Sequence, residues 1–418
     1  MTAAATAPPI RPQAMLRHRP FRTLWLAQLV SIFGDFLALF GVISLITFRL
    51  HGTAVQVTTV TIAYILPLAL IGPIAGVFVD HWNVKRVMIA SDLIRGALIL
   101  LLLVVRDVAQ IGLILAALSV LSSFFVPAQS VTVRTLVPAD SLLAANAMLT
   151  QAFYIVRLSA PFAAGALIAW LGERVCFYLD TASFVFSAGM IFTLVIVRPP
   201  RAPGEKTLRS LSRDFVEGNR FIFTHAGLTF VFLAMGVATF VMAAFMPLIS
   251  IYIRDALRAG PFVWGAISSM VGIGLIAGTQ VLGRVHTPSS RTSVVLGGML
   301  GLGMGAALLG AFRNIPLAAL ATFLIGFAVS FVLVPAQTLS QQETPPPLMG
   351  RVSSTFMSLV SLSQVLGLLL SGYVAQALGM RGLFLACGGA LALIAGAGHV
   401  WMREPRPRPG RNERPATE

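Results

Sequence analysis

Long apolar runs broken by short polar segments recur along the whole chain. Each run is close to the roughly 20 residues that a helix needs to cross a bilayer, and a helix satisfies its own backbone polar groups there. The pattern predicts spans near 23–49, 55–79, 87–105, 109–133, 143–170 and 175–197. A polar, basic stretch with Pro199, Pro200, Pro203 and Gly204 interrupts the series. A second set follows near 227–253, 261–283, 293–312, 315–339, 352–377 and 383–401. The expected layout is a cytoplasmic tail over 1–22, a six-helix bundle over 23–197, a cytoplasmic linker over 198–226, a second six-helix bundle over 227–402 and a disordered tail over 403–418.

Composition changes the picture only by confirming the solvent. Of the 418 residues, 57% are hydrophobic and 11% charged, against about 25% charged in soluble chains. So few charges cannot cover a surface in water, and lipid must bathe most of it. The net charge of +15 does not point to nucleic acid, because no basic stripe is interleaved with aromatics. The basic residues, all Arg except Lys85 and Lys206, sit mostly in the short connections. With the N-terminus placed in the cytoplasm, only Arg49, Arg106, Arg174, Arg254, Arg258, Arg313 and Arg381 fall on the opposite side, and Arg95 and Arg157 lie within spans. That bias favours both termini inside. Met1 to Arg22 is read as a tail, not a signal peptide, because the apolar run after it is too long. Cys176 and Cys387 lie in apolar runs and indicate neither a disulfide framework nor a metal site.

The two halves are related. Phe125-Val126-Pro127-Ala128-Gln129-Ser130 recurs as Leu333-Val334-Pro335-Ala336-Gln337-Thr338, and Leu171-Gly172-x-Arg174 recurs as Leu378-Gly379-x-Arg381 at nearly the same offset. Six helices separate the copies, so both halves point the same way across the membrane. The expected architecture is all-α, with twelve transmembrane helices in two parallel six-helix repeats, an arrangement that places substrate between the halves.

Gly76-Val-Phe-Val-Asp80-His-Trp-Asn-Val-Lys85-Arg86 resembles the loop signature Gly-x-x-x-Asp-Arg-x-Gly-Arg-Arg of the major facilitator superfamily, with His81 and Asn83 as departures. Ala160-Pro161-Phe-Ala-Ala164-Gly165 is similar to that family's antiporter signature, with two Gly replaced by Ala. Gly34-Asp35, Asp92-Leu-Ile-Arg95 and the passage from Pro127 to Asn146 resemble the branch that holds enterobactin exporters and macrolide or multidrug efflux proteins. The resemblance implies a transporter and not an enzyme, in the cell membrane, with a small-molecule substrate and no cofactor. It also implies a cytoplasmic gate drawn from Gly76, Asp80, Lys85, Arg86, Asp92, Arg95 and Arg351, with Asp80 near the N-terminus of span 11.

Charges within spans are the remaining candidates, since each costs about 2.5–3.5 kcal/mol at mid-membrane and tends to face an interior. Asp35 lies near the midplane, where desolvation favours the neutral carboxyl. It serves either in proton or substrate coupling or as a structural carboxylate. Arg157 falls at similar depth, so an Asp35–Arg157 pair is expected. Asp92 and Arg95, three apart on one helix face, are expected to pair with each other. Asp180, toward the outer face, is read either as a ligand contact or as a capped, partly hydrated carboxylate, the second favoured. In this fold Gln28, Gln129 and Gln337 offer polar contacts to a ligand or hydrogen bonds between helices, and Phe240, Met242, Phe245 and Met246 suit a greasy, adaptable pocket.

Gly272-Ile-Gly274-Leu-Ile-Ala277 imitates a nucleotide loop, but it lies inside an apolar span with no strand before it. Gly274-x-x-x-Gly278 and Gly297-x-x-x-Gly301-x-x-x-Gly305 are better read as helix-packing surfaces. No Walker loop is present, so ATP cannot power this chain alone. The functional expectation is a monomeric, proton-driven exporter of an amphipathic small molecule. A lipid or lysophospholipid translocator and a non-transporting sensor with a transporter-like body are the alternatives.

Overall fold

In a computed structural model, residues 15–196, 217, 219–284, 291–345 and 348–403 are described. Most of the expected linker and nearly all of both tails lie outside them.

Helix α1 runs over Arg19–Ser44 and continues as a π-helical turn, Leu45–Arg49. It is followed by α2 (Ala54–Val79), α3 (Val84–Leu101), α4 (Val108–Leu136), α5 (Leu142–Leu171) and α6 (Arg174–Thr193). The second half holds α7 (Ala226–Phe245, resuming as Ile249–Asp255), α8 (Pro261–Arg284), α9 (Arg291–Ala311) and α10 (Ile315–Glu343). The last helical stretch, Met349–Arg403, breaks at Gly379 into α11 (349–378) and α12 (380–403). Ten stretches are long and apolar enough to cross a membrane when this last one is taken whole. Helix α3 is missing from those ten because Lys85, Arg86, Asp92 and Arg95 interrupt its apolar character. With α3 counted and the break at Gly379 respected, the described residues form the expected twelve spans.

Local signals place the ends. Thr53 and Gln56 form a capping box before α2, and Asn83 caps α3 by accepting from the Arg86 amide at 3.2 Å. The repeated Leu-Gly-x-Arg motif is a turn device. Gly172 and Gly379 have φ of 81° and 71° with ψ of 166° and 169°, a region open in practice to glycine alone. Each sits between the fifth and sixth helix of its half. Pro127 and Pro335, the other repeated feature, both stand inside helices, α4 and α10. The expected span 7 is broken by a turn at 246–248, where Pro247 removes a helical donor.

Packing repeats with the sequence. In the first half α1 lies on α5 and α6, α2 on α4, and α3 on α4 and α6; in the second, α8 lies on α10, α9 on α10 and α12, and α7 on the stretch forming α11 and α12. Small residues permit the close crossings. A methyl at Gly34 or Gly41 of α1 would run into α6 at Asp180 and Ser183 or at Cys176 and Phe177. Gly274, Gly278, Gly301 and Gly305 pack in the same way against α10, whereas Gly297 has nothing within 4 Å and is not part of that surface.

The halves meet mainly through α5 with α8 and α2 with α11. These contacts gather at the end of the bundle opposite the tails. There a methyl on Gly165 of α5 would lie 2.8 Å from the Gly265 Cα of α8, and one on Gly372 of α11 would lie 3.1 Å from the Val55 Cα of α2. Trp264 of α8, 2% exposed, stacks on Phe40 of α1 at 4.5 Å between ring centroids and leans on Phe48 at 6.2 Å. Thr47 Oγ1 lies 3.0 Å from Ser250 Oγ, and Arg254 donates to the carbonyls of Thr47 and Gly52 at 2.7 and 3.0 Å. The far end is therefore sealed by interlocking backbone and aromatic contacts.

Candidate functional site

A group of charges is enclosed within the first half, where α1, α2, α3, α4 and α6 converge. Arg95 of α3 is 4% exposed. Its guanidinium carbon sits 4.6 Å from the Phe125 ring centroid and 4.4 Å from that of Phe184, so two aromatic faces hold the cation. Asp92, one helical turn earlier, takes a close ion pair with it. Asp35 Oδ2 of α1 lies 3.9 Å from the other guanidinium nitrogen. Arg95, Asp35 and Asp180 of α6, with Tyr64, Leu118 and Ser122, line a chamber of 20 Å³. That volume is about enough for one water. Asp35 is the opening of the group: its side chain is 32% exposed, while Asp92 and Asp180 are fully buried.

This geometry corrects several expectations. Asp35 faces Arg95 and not Arg157. Arg157 projects from α5 away from Asp35's partners and makes no hydrogen bond or ion pair among the described residues. Depth along a helix can be counted from sequence, but the direction a side chain takes around the axis depends on which neighbour packs there. Asp92 and Arg95 pair as expected, yet they belong to the enclosed group and not to a gate at the membrane surface. Asp180 is fully buried where α1 closes over it at Gly34, and it meets only the small chamber.

The other gate candidates stay near the tail end. Asp80 ends α2 and is partly buried, as is Gly76, while Arg86 is exposed. Lys85 donates to the Leu194 carbonyl at 2.8 Å and lies over the Phe192 ring, which ties it to the end of α6. Arg351 pairs with Glu217 at 2.5 Å. The antiporter-like residues lie on the interface between the halves: Ala160, Pro161 and Ala164 are buried, and a methyl on Gly265 would lie 2.7 Å from the Gly165 Cα.

A second cavity, of 670 Å³, lies along the first half of α5 and beside the later turns of α8, lined by Leu143, Asn146, Gln151, Tyr154, Leu158 and Ile276 among others. No Lys or Arg stands among the described residues that line it. The proposed cavity residues divide. Gln129 is partly exposed and Gln337 exposed; Phe240, Met242 and Met246 are partly buried. Gln28 is 3% exposed and Phe245 fully buried, the latter edge-on to Phe384 at 6.2 Å between centroids, so neither faces an open cavity here. Sequence reasoning missed the α5 cavity, whose lining is ordinary in composition.

Twelve helices in two related halves, sealed together at one end around an enclosed charge group, define a membrane transporter body. The chain matches the Major Facilitator Superfamily profile over residues 24–363 and 231–417, and it belongs to that family. It is 28% identical over 379 residues to the uncharacterized MFS-type transporter YfiS of Bacillus subtilis, covering 89% of this chain and 90% of that one. It is 26% identical over 392 residues to macrolide efflux protein A of Streptococcus pyogenes, covering 90% and 94%. The multidrug efflux pump Tap of Mycolicibacterium fortuitum is 26% identical over 351 residues, covering 80% and 84%. Among solved structures, a bacterial homologue of the human lysosomal transporter Spinster superposes with a TM-score of 0.73 at 13% identity, covering 92% of this chain and 96% of that one. The nucleoside transporter NupG gives 0.71 at 14% identity, covering 92% and 99%. These two establish the fold alone. The chain is a multi-pass membrane transporter and not an enzyme.

Proposed function

We propose that the chain is a proton-coupled exporter of amphipathic small molecules, with both termini in the cytoplasm, and that the sealed end seen here is the outer one. The observation that carries this reading is the contact between partly exposed Asp35 and enclosed Arg95. A proton taken up by Asp35 cancels its attraction for Arg95. Asp35 rides on α1, and five residues further on, about 7.5 Å along the helix, Phe40 of that helix stacks on Trp264 of the other half. The charge state of Asp35 therefore bears on the helix that closes the far end. Each entering proton gains about 2.3 kcal/mol per 100 mV of membrane potential.

Export, and a drug-like cargo, are supported by the macrolide and multidrug efflux proteins among the relatives. The large cavity beside α5 is lined by apolar and neutral polar groups. Such a lining suits a greasy molecule with few charges, and it offers no basic partner for the phosphate of a lipid headgroup. The gate residues Asp80, Lys85, Arg86 and Arg351 would re-engage the halves at the tail end when the far end opens. The protein works as a monomer, since one chain holds both halves, and it needs no cofactor or nucleic acid.

The test is accumulation of a macrolide and of ethidium in cells expressing the protein, with and without a protonophore. Expression lowers accumulation, and the protonophore restores it. Export that ignores the protonophore removes the coupling claim.

A further inference from the structure

The Asp35–Arg95 pair does not account for Asp180. Three carboxylates, Asp35, Asp92 and Asp180, surround one guanidinium. Asp92 neutralises Arg95 through direct contact, and Asp35 is partly exposed. Asp180 is 0% exposed, has no cation of its own, and its Oδ2 finds no hydrogen-bond donor among the described protein groups. A bare carboxylate held this way is strongly disfavoured in a dry interior. The groups around it are Asp35 from α1, Asp92 and Arg95 from α3, the cation already in contact with Asp92, and Tyr64 from α2.

Hydrogen-bond donors tell the same story. Ser183 Oγ lies 2.8 Å from the Asp180 carbonyl and 3.2 Å from Asp180 Oδ1. A hydroxyl carries a single hydrogen. That hydrogen is shared between the carbonyl and Oδ1, so Ser183 leaves Oδ2 without a donor.

We propose that Asp180 is a second proton-binding residue of the transporter, holding a proton in this conformation and exchanging it with solvent through the chamber and Asp35. This rests on the coupling role proposed for Asp35, although the resident proton itself does not. The steps balance simply. The Asp180 carboxyl gives its proton to a water in the 20 Å³ chamber, and that water passes one to ionised Asp35, which releases it at the open end. Asp180, now ionised, is countered by Arg95 and draws the next proton by the reverse route. Glycine at position 34 is what lets α1 lie this close: a methyl there would stand 2.5 Å from Asp180 Oδ1.

The experiment is infrared spectroscopy of the purified full-length protein in liposomes at neutral pH, following the carbonyl stretch of protonated carboxyl groups and its exchange in heavy water. A protonated-carboxyl band is expected in the wild type, lost in Asp180→Asn, shifted but present in Asp180→Glu, and retained in Asp35→Asn and Asp92→Asn. Its deuterium exchange should slow about tenfold or more in Asp35→Leu, the equivalent of about 1.4 kcal/mol added to the barrier. A wild type with no such band, or a band that survives Asp180→Asn, overturns the resident proton. Unchanged exchange in Asp35→Leu overturns the route. The measurement needs no substrate, so a failure of proton-driven export in the protonophore assay would be seen separately.

Discussion

At the scale of single residues, Arg95 is the piece on which the enclosed group depends. It neutralises Asp92, faces Asp35 and fills the space between Phe125 and Phe184. Arg95→Ala leaves Asp92 buried without a counter-charge, a loss of about 3–5 kcal/mol. Thermal unfolding in detergent should show a marked fall in midpoint, and adding Asp92→Asn should recover part of it, because the uncompensated charge is then gone. Equal loss in the single and double variants would mean that packing, not charge, carries the effect. Arg95→Lys should fall between, since an ammonium lacks the planar face that stacks on two rings. Arg157→Gln, by contrast, removes no ion pair or hydrogen bond among the described residues and should lower that midpoint less than Arg95→Ala does. The Asp92–Arg95 pair was legible in the sequence because three residues along a helix bring side chains together whatever the fold does. The approach of Asp35 to Arg95, and of Asp180 to both, was not, since it depends on α1 lying against α6 through Gly34 and Gly41.

At the scale of elements, the apolar runs predicted helix positions well because lipid imposes one length and one kind of structure. The breaks depended on finer signals. Gly172 and Gly379 were visible as a repeat before their shared role was known: each reverses the chain between two helices with a backbone only glycine adopts. Replacing either with Ala should cost about 1–3 kcal/mol of strain, read as a lower unfolding midpoint, although neither glycine has a neighbour within 4 Å of an added methyl. No loss would mean that the turn relaxes. The break in α7 had a signal in Pro247 that the long apolar run obscured. The crossing of Gly165 and Gly265 is a different case, one of contact and not of conformation. Gly265→Val must push α8 away from α5, because even a methyl would lie 2.5 Å from the Pro161 carbonyl oxygen. The expected outcome is faster labelling, by an outside thiol reagent, of a cysteine placed at Phe262, which in the native protein packs edge-on to Phe162. Unchanged labelling would show that this crossing does not hold the far end shut.

At the scale of the molecule, the repeat in sequence becomes a repeat in packing, and the two halves touch through symmetry-related helix pairs, α2 with α11 and α5 with α8. A body of this kind offers binding groups to one side at a time by rocking its halves, provided that the sealed end can open. The contact between Thr47 and Ser250 tests that requirement directly, because it joins the ends of α1 and α7 across the seal. Their hydroxyl oxygens are 3.0 Å apart, so cysteines at both positions would bring two sulfurs side by side, the first requirement for a disulfide. The native Cys176 and Cys387 are both buried and should not compete. Oxidising Thr47→Cys/Ser250→Cys should stop export of a macrolide or ethidium, and a reductant should restore it, while either single variant stays active. The locked protein should still bind the probe from the tail side, because the cavity beside α5 opens away from the seal. Export that continues with the bridge formed would mean that substrate leaves without this end separating, and the rocking of the two halves would have to be abandoned.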